Sequence, residues 1–131
     1  MKYYIGQNAS FSKTISETDV YLFAGISGDF NPVHVNKVEA EKTRFGRQIA
    51  HGILCSSLIS SVLGTRFPGE GTIYLEQTLK FCSPVYIGDT ITAVVSLIEL
   101  LPKNKALLQT TVKNQDGVIV IDGQAKVLLP L

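Results

Sequence analysis

A dominant charge is the plainest thing missing from this 131-residue chain: 12 Lys plus Arg stand against 11 Asp plus Glu, a formal charge of +1. The chain-wide basic footprint expected of a nucleic-acid binder is therefore absent, while a small local cluster for a phosphorylated ligand stays open. Cysteine and histidine are scarce, two of each. Cys55 and Cys82 make no CxxC pair, which points to a reduced, cytoplasmic compartment. With so few Cys/His ligands, no metal site is expected. Long apolar runs are also missing. The most apolar stretch, Ile53 to Leu63, is broken by Ser56, Ser57, Ser60 and Ser61. It falls short of the roughly 20 residues that cross a bilayer, so no membrane partner is expected. The opening MKYYIGQNAS has no apolar core of the kind a signal peptide carries.

What the chain does have is globular composition, 45% hydrophobic and 18% charged, over a length that suits one domain spanning residues 1–131. A mean hydropathy of +0.21 is high for a small monomer and suggests that a partner subunit covers part of the surface. Helical periodicity dominates the first half. Ser16 and Asp19 form a capping-box pattern ahead of Val20, Phe23, Ala24 and Ser27, and Gly28 ends that helix. Val38 to Arg44 is a second, short helical candidate. From Gly52 to Leu63 the apolar residues Ile53, Leu54, Leu58, Ile59, Val62 and Leu63 cover a broad helical face, with Gly64 closing it. A helix this apolar belongs inside the fold.

After Pro68-Gly69-Glu70-Gly71 the period changes to two. Ile73 to Cys82 alternates as one half-buried strand, Ile91 to Leu97 and Ala106 to Lys113 follow, and Asp116-Gly117 is a hairpin signal. The final strand places Ile119, Ile121, Ala125, Val127 and Leu129 on one face. A long antiparallel sheet together with one very apolar helix predicts an α+β architecture, the sheet curled around the helix.

Two polar features interrupt this pattern. In Ser27-Gly28-Asp29-Phe30-Asn31-Pro32-Val33-His34, Pro32 biases Asn31 away from helical geometry, so Asp29 and His34 fall on a loop. A carboxylate and an imidazole turned toward one point handle two protons in one reaction. Gly-Asp and Asn-Pro are also ordinary turn chemistry, and spacing alone favours that reading. In Ala50-His51-Gly52, the apolar helix begins with unpaired amides and the positive end of its dipole, where Gly52 admits a ligand oxygen. Such a site suits a carbonyl that gains negative charge, although Gly52 also reads as a close-packing position.

These two motifs, with Pro68 to Leu75 and Pro84-Val85-Tyr86-Ile87-Gly88-Asp89-Thr90-Ile91-Thr92, resemble the MaoC-like, (R)-specific enoyl-CoA hydratases, in order and spacing over roughly residues 10 to 128. The resemblance implies a hot dog fold assembled as a homodimer. It implies syn addition of water to a trans-2-enoyl-CoA, giving the (R)-3-hydroxyacyl-CoA, with no cofactor beyond the CoA of the substrate. By position, Asp29 and His34 match the catalytic pair, and Gly52 matches the glycine whose N–H receives the thioester carbonyl. Asn31 and Ser60 match the motif asparagine and a serine inside the site. Leu63 and Leu75, with Leu58 and Val62, are expected along an acyl tunnel, where each is equally explained as core. Arg44, Arg47, Arg66, Lys80 and Lys103 are candidates for the CoA phosphates, each singly a surface residue by default. Asp29 has to hold the proton for C2, which an enclosed apolar setting favours. Rival readings are an acyl-carrier-protein dehydratase, an acyl-CoA thioesterase on the same fold, and a non-enzymatic acyl-CoA sensor.

Overall fold

The serine-interrupted apolar stretch forms the axis of the molecule. In the computed structural model, which describes residues 2–131, it is helix α4 (Gly52–Thr65), with Cys55, Leu58, Ile59, Val62 and Leu63 buried. Their spacing puts them on one side of the helix, so the sheet has a continuous apolar surface to close on. Strands β4 (Thr90–Leu101), β5 (Lys105–Lys113) and β6 (Ile119–Leu128) supply the other half of the core. Ile91, Ala93, Val95, Leu97, Ala106, Leu108, Val112, Ile121, Ala125 and Val127 join the same apolar cluster as the α4 side chains. Burying an aliphatic side chain of this size stabilises the fold by about 1.5–3 kcal/mol. This is the hot dog fold, an antiparallel sheet wrapped around one helix.

The sheet runs from β1 (Asn8–Thr14) through β4, β5 and β6 to β2 (Ile73–Gln77), with all named pairs antiparallel, and β3 (Lys80–Phe81) pairs β6 beside β2. Strand β1 (Asn8–Thr14) is an element the periodicity does not reveal. Its sequence is mostly polar, and pairing from Asn8 opposite Ser96 to Thr14 opposite Thr90 places it on the edge of the sheet. The single strand expected from Ile73 to Cys82 is split. Thr78 leaves the ladder and donates its N–H to the Gln124 carbonyl at 2.9 Å. Its own carbonyl presses on Gly123, where an added Cβ would lie only 1.9 Å from the Thr78 oxygen. In β6 Ile119 is exposed and Val120 is buried, so the face expected of that strand begins at Ile121.

Helix α1 (Glu17–Ser27) starts as its capping box requires. Ser16 Oγ accepts from the Asp19 N–H at 3.0 Å, and Asp19 Oδ2 accepts from the Ser16 N–H at 2.9 Å. Gly28 ends it in the left-handed region at φ 79°, a conformation that glycine adopts without a Cβ penalty. Two short helices follow, α2 (Pro32–Val35) and α3 (Lys37–Glu41), where sequence reading placed a loop and a longer helix reaching Arg44. Gly64 does not close α4, which continues to Thr65. No helix among the described residues is long and apolar enough to cross a membrane.

Candidate active site

The α1–α4 connection lies over the amino end of α4 and brings the two polar motifs together. Asp29 sits on the loop after Gly28, with its Oδ1 accepting from the Asn31 N–H at 3.1 Å. Asn31 caps α2 by accepting from the Val33 N–H at 3.3 Å, and its carbonyl accepts from the His34 N–H at 2.9 Å. Pro32 at the first helical position needs no N–H partner there, so one turn of helix forms and carries His34 inward. His34 is therefore on a helix rather than the expected loop, and it is 8% exposed. Asp29 remains exposed on the isolated chain, unlike the enclosed setting anticipated for it.

The hydrogen bonds define how His34 holds its proton. Its Nδ1 lies 2.7 Å from the Ile49 carbonyl. A carbonyl oxygen only accepts, so Nδ1 carries hydrogen and the lone pair of the neutral ring is on Nε2. Burial holds the imidazole pKa below the ordinary histidine value of 6.5, and the neighbouring His51 adds to the depression. The Ile49 carbonyl and the Asp29 carboxylate oppose that shift. Neutral His34 is thus the resting form near pH 7.

Each of Asp29, His34 and His51 contributes one titratable atom to a set within 4.8 Å of one another. The His34 and His51 rings stack at 3.9 Å with planes 27° apart. Their lone pairs therefore run in nearly parallel planes, a poor arrangement for a tetrahedral ion and a workable one for proton transfer. Sequence reading gave the neighbouring Gly52 a role and His51 none, taking from His51 only that both histidines fall within 18 residues of each other, which supports a shared site. A histidine that bonds one carbonyl and stacks on one ring leaves no spacing pattern from which a role could be read.

Helix α4 opens with no side-chain cap, and its first return bond is the Cys55 N–H to the His51 carbonyl at 3.2 Å. The Gly52, Ile53 and Leu54 amides are the orphan donors of the helix start. Gly52 and His34 line one cavity of about 410 Å³, together with Cys55, Phe81, Val120 and Ile121. Phe81, 52% exposed, covers Gly52 so closely that an added Cβ would lie 2.6 Å from its ring.

The remaining candidates divide. Ser60 and Leu75 line a separate cleft between α4 and β2, with Phe23, Ile53, Tyr74 and Gln77. Leu63, 2% exposed, and Val62 are core residues, and Leu58 is nearly sealed. On the single chain Leu63 therefore presents no surface to a ligand, because it packs inside the sheet. Arg66 donates to the Ser10 carbonyl at 2.6 Å and lies over Phe11, tying α4 to β1. Arg47 stacks 3.9 Å from the Tyr86 ring.

Fold and site together define a hot dog domain with a carboxylate and a buried imidazole set beside the free amides of its central helix. The chain belongs to the MaoC-like family, whose domain model matches residues 3–121. The (R)-specific enoyl-CoA hydratase of Rhodospirillum rubrum is 53% identical over 125 residues, 95% of this chain and 87% of that protein. A mitochondrial 3-hydroxyacyl-[acyl-carrier-protein] dehydratase of Arabidopsis thaliana is 36% identical, over 96% of this chain and 77% of the relative. The solved structure of the (R)-hydratase from A. caviae involved in PHA biosynthesis superposes with a TM-score of 0.95 at 42% identity, covering 98% of both chains.

Proposed function

We propose that the protein is an (R)-specific enoyl-CoA hydratase, a hydro-lyase in which Asp29 and His34 handle the two protons and the Gly52 N–H receives the thioester carbonyl. One observation carries the assignment of roles: His34, its base nitrogen free, faces the same cavity as Gly52 and lies within 4.8 Å of the Asp29 carboxylate. A water hydrogen-bonded to both groups spans roughly that distance, 4–5 Å. High identity to a named hydratase over most of the chain supports the reaction class.

In the forward direction His34 Nε2 takes a proton from water as its oxygen bonds C3 of the enoyl chain. The C2=C3 electron pair moves toward the thioester carbonyl, where the Gly52 amide and the positive end of α4 stabilise the enolate oxygen. The imidazolium passes its proton to the Asp29 carboxylate, which hands it on to C2, leaving one water added and both groups as they began. Both groups approach from the α1–α4 connection, hence from one face, which makes the addition syn. No cofactor is needed beyond the CoA of the substrate.

The working unit is a homodimer. Strand β2 is an edge of the sheet, with Ile73, Tyr74 and Leu75 exposed, and exposed serines of α4 line the cleft beside it. A second copy paired along β2 covers both and closes the cleft. Its free thiols suit a reducing compartment such as the cytoplasm. The second reading, dehydration of a carrier-protein thioester, is favoured by the plant relative named above.

The test is loss of enoyl absorbance with crotonyl-CoA, and product configuration read by a stereospecific 3-hydroxyacyl-CoA dehydrogenase. Asp29→Asn and His34→Ala should each lose about 100- to 10,000-fold in kcat while melting as cooperatively as the wild type. Activity that survives both substitutions refutes the pair. A wild type that hydrates carrier-protein substrates alone selects the second reading.

A further inference from the structure

His51 is buried and titratable, and the reaction just described gives it nothing to do. It is 2% exposed and stands at the amino end of α4 without capping it. Its Nε2 lies 2.9 Å from the Asp29 carbonyl oxygen. That oxygen only accepts, so Nε2 carries the hydrogen and the Nδ1 lone pair is left over. Nδ1 is buried and has no hydrogen-bond partner among the described residues. One face of the ring backs His34 at 3.9 Å, and the Phe23 ring meets it edge-on at 4.9 Å.

Packing alone does not account for this residue. A phenylalanine or leucine would fill the space between Phe23 and His34 without burying an unsatisfied nitrogen, which is destabilising. What an apolar side chain lacks is the N–H that holds the Asp29 carbonyl. His51 is the side chain that touches both members of the pair, Asp29 through its peptide and His34 through its ring face. The Asp29 carboxylate accepts from the Asn31 N–H, and the His34 ring is held by the Ile49 carbonyl. Asn31 also joins the pair, through its own N–H and carbonyl, but that link reaches the His34 backbone and not its ring.

From this geometry we infer that His51 is a positioning residue, setting the separation of Asp29 and His34 by donating Nε2–H to the Asp29 carbonyl while its ring supports His34. The inference rests on the hydratase reading and assigns His51 no contact with substrate. It predicts an effect on kcat with little on KM, because the acyl-CoA contacts are untouched and the alignment of the acid–base pair is what suffers.

Three measurements on the full chain test it. Steady-state hydration of crotonyl-CoA is compared for wild type, H51F and H51Q, with thermal melts of each. H51F keeps an aromatic face and loses the donor, so kcat should fall about 100-fold, with KM unchanged within about threefold. H51Q keeps an N–H donor at similar reach and should recover to within about tenfold of wild type. Nitrogen-15 NMR of the wild type should show His51 protonated on Nε2 and His34 on Nδ1.

Wild-type kcat in a folded H51F, or a loss confined to KM, overturns the inference. So does a folded H51Q no more active than H51F. If H51F does not fold, H51Q and the tautomers decide, and an Nδ1-protonated His51 overturns it. An inactive wild type refutes the hydratase reading itself and is distinguishable from all of these.

Discussion

The connection from Ser27 to Gly52 and the core around α4 are adjacent in space and held by different forces. In the connection the groups are held by single polar bonds, among them Asn31 to Asp29, His34 to Ile49, His51 to Asp29 and Gln48 to the His34 carbonyl. In the core, side chains such as Ile59, Leu108 and Val127 are fully buried in one apolar cluster. Apolar packing is spread over many partners, so losing one side chain weakens the whole fold and leaves the geometry of the rest nearly intact. A directional bond has one partner, so losing it displaces one group at a stability cost of about 0.5–1.5 kcal/mol, less than a core truncation. The contrast teaches that stability and chemistry can be damaged separately here.

The largest effect that would break this contrast lies in the core. Ile59→Ala should cost about 2–5 kcal/mol, read as a lower urea midpoint at constant slope, with kcat per folded molecule preserved within about threefold. A matching collapse of kcat would show that core packing sets the site geometry directly.

Gly52→Ala sharpens the boundary between the two regions. The new methyl would sit 2.6 Å from the Phe81 ring, and this half-exposed side chain can turn away. Stability should change little, while kcat/KM falls about 100-fold as the displaced ring crowds the cavity. Adding Phe81→Ala should restore at least part of that loss. If it restores none, the methyl itself obstructs the carbonyl.

The smallest effect is in pH. Burial lowers the His34 pKa below 6.5, so kcat/KM should hold through neutrality. It should fall about tenfold per unit only at pH values below the histidine range. The unfolded chain, whose histidine titrates near 6.5, takes up that proton first as pH drops. The stabilisation from keeping His34 neutral is therefore complete above that value and is lost as pH falls toward the lowered folded pKa. An acid limb at or above 6.5 would mean that the Ile49 carbonyl and the Asp29 charge together outweigh burial and the neighbouring His51.

Much of the architecture was legible because it rests on local rules. The Ser16–Asp19 box, the Gly28 stop, the apolar face of α4 and the alternation in β4 and β5 all stand where the pattern puts them. Strand β1 was not legible, since residues such as Asn8, Ser10 and Ser12 become strand by pairing with β4. Nor was the break at Thr78, which depends on Gly123 lying opposite it in a distant strand. Asp29, His34 and Gly52 were recognised through motif order, a likeness rather than a force. The turn chemistry of Gly-Asp and Asn-Pro alone would have left them as surface.

Sequence by itself settled the apolar helix, the alternating strands and the residue types available for proton transfer, because period and capping act over a few neighbours. Tertiary structure alone decided which His34 nitrogen is free, that His51 touches both Asp29 and His34, and that Phe81 covers Gly52. It also decided that Leu63 belongs to the core. Each of these depends on an atom brought close by the closing of the sheet around α4, and no local pattern encodes a contact made at that range.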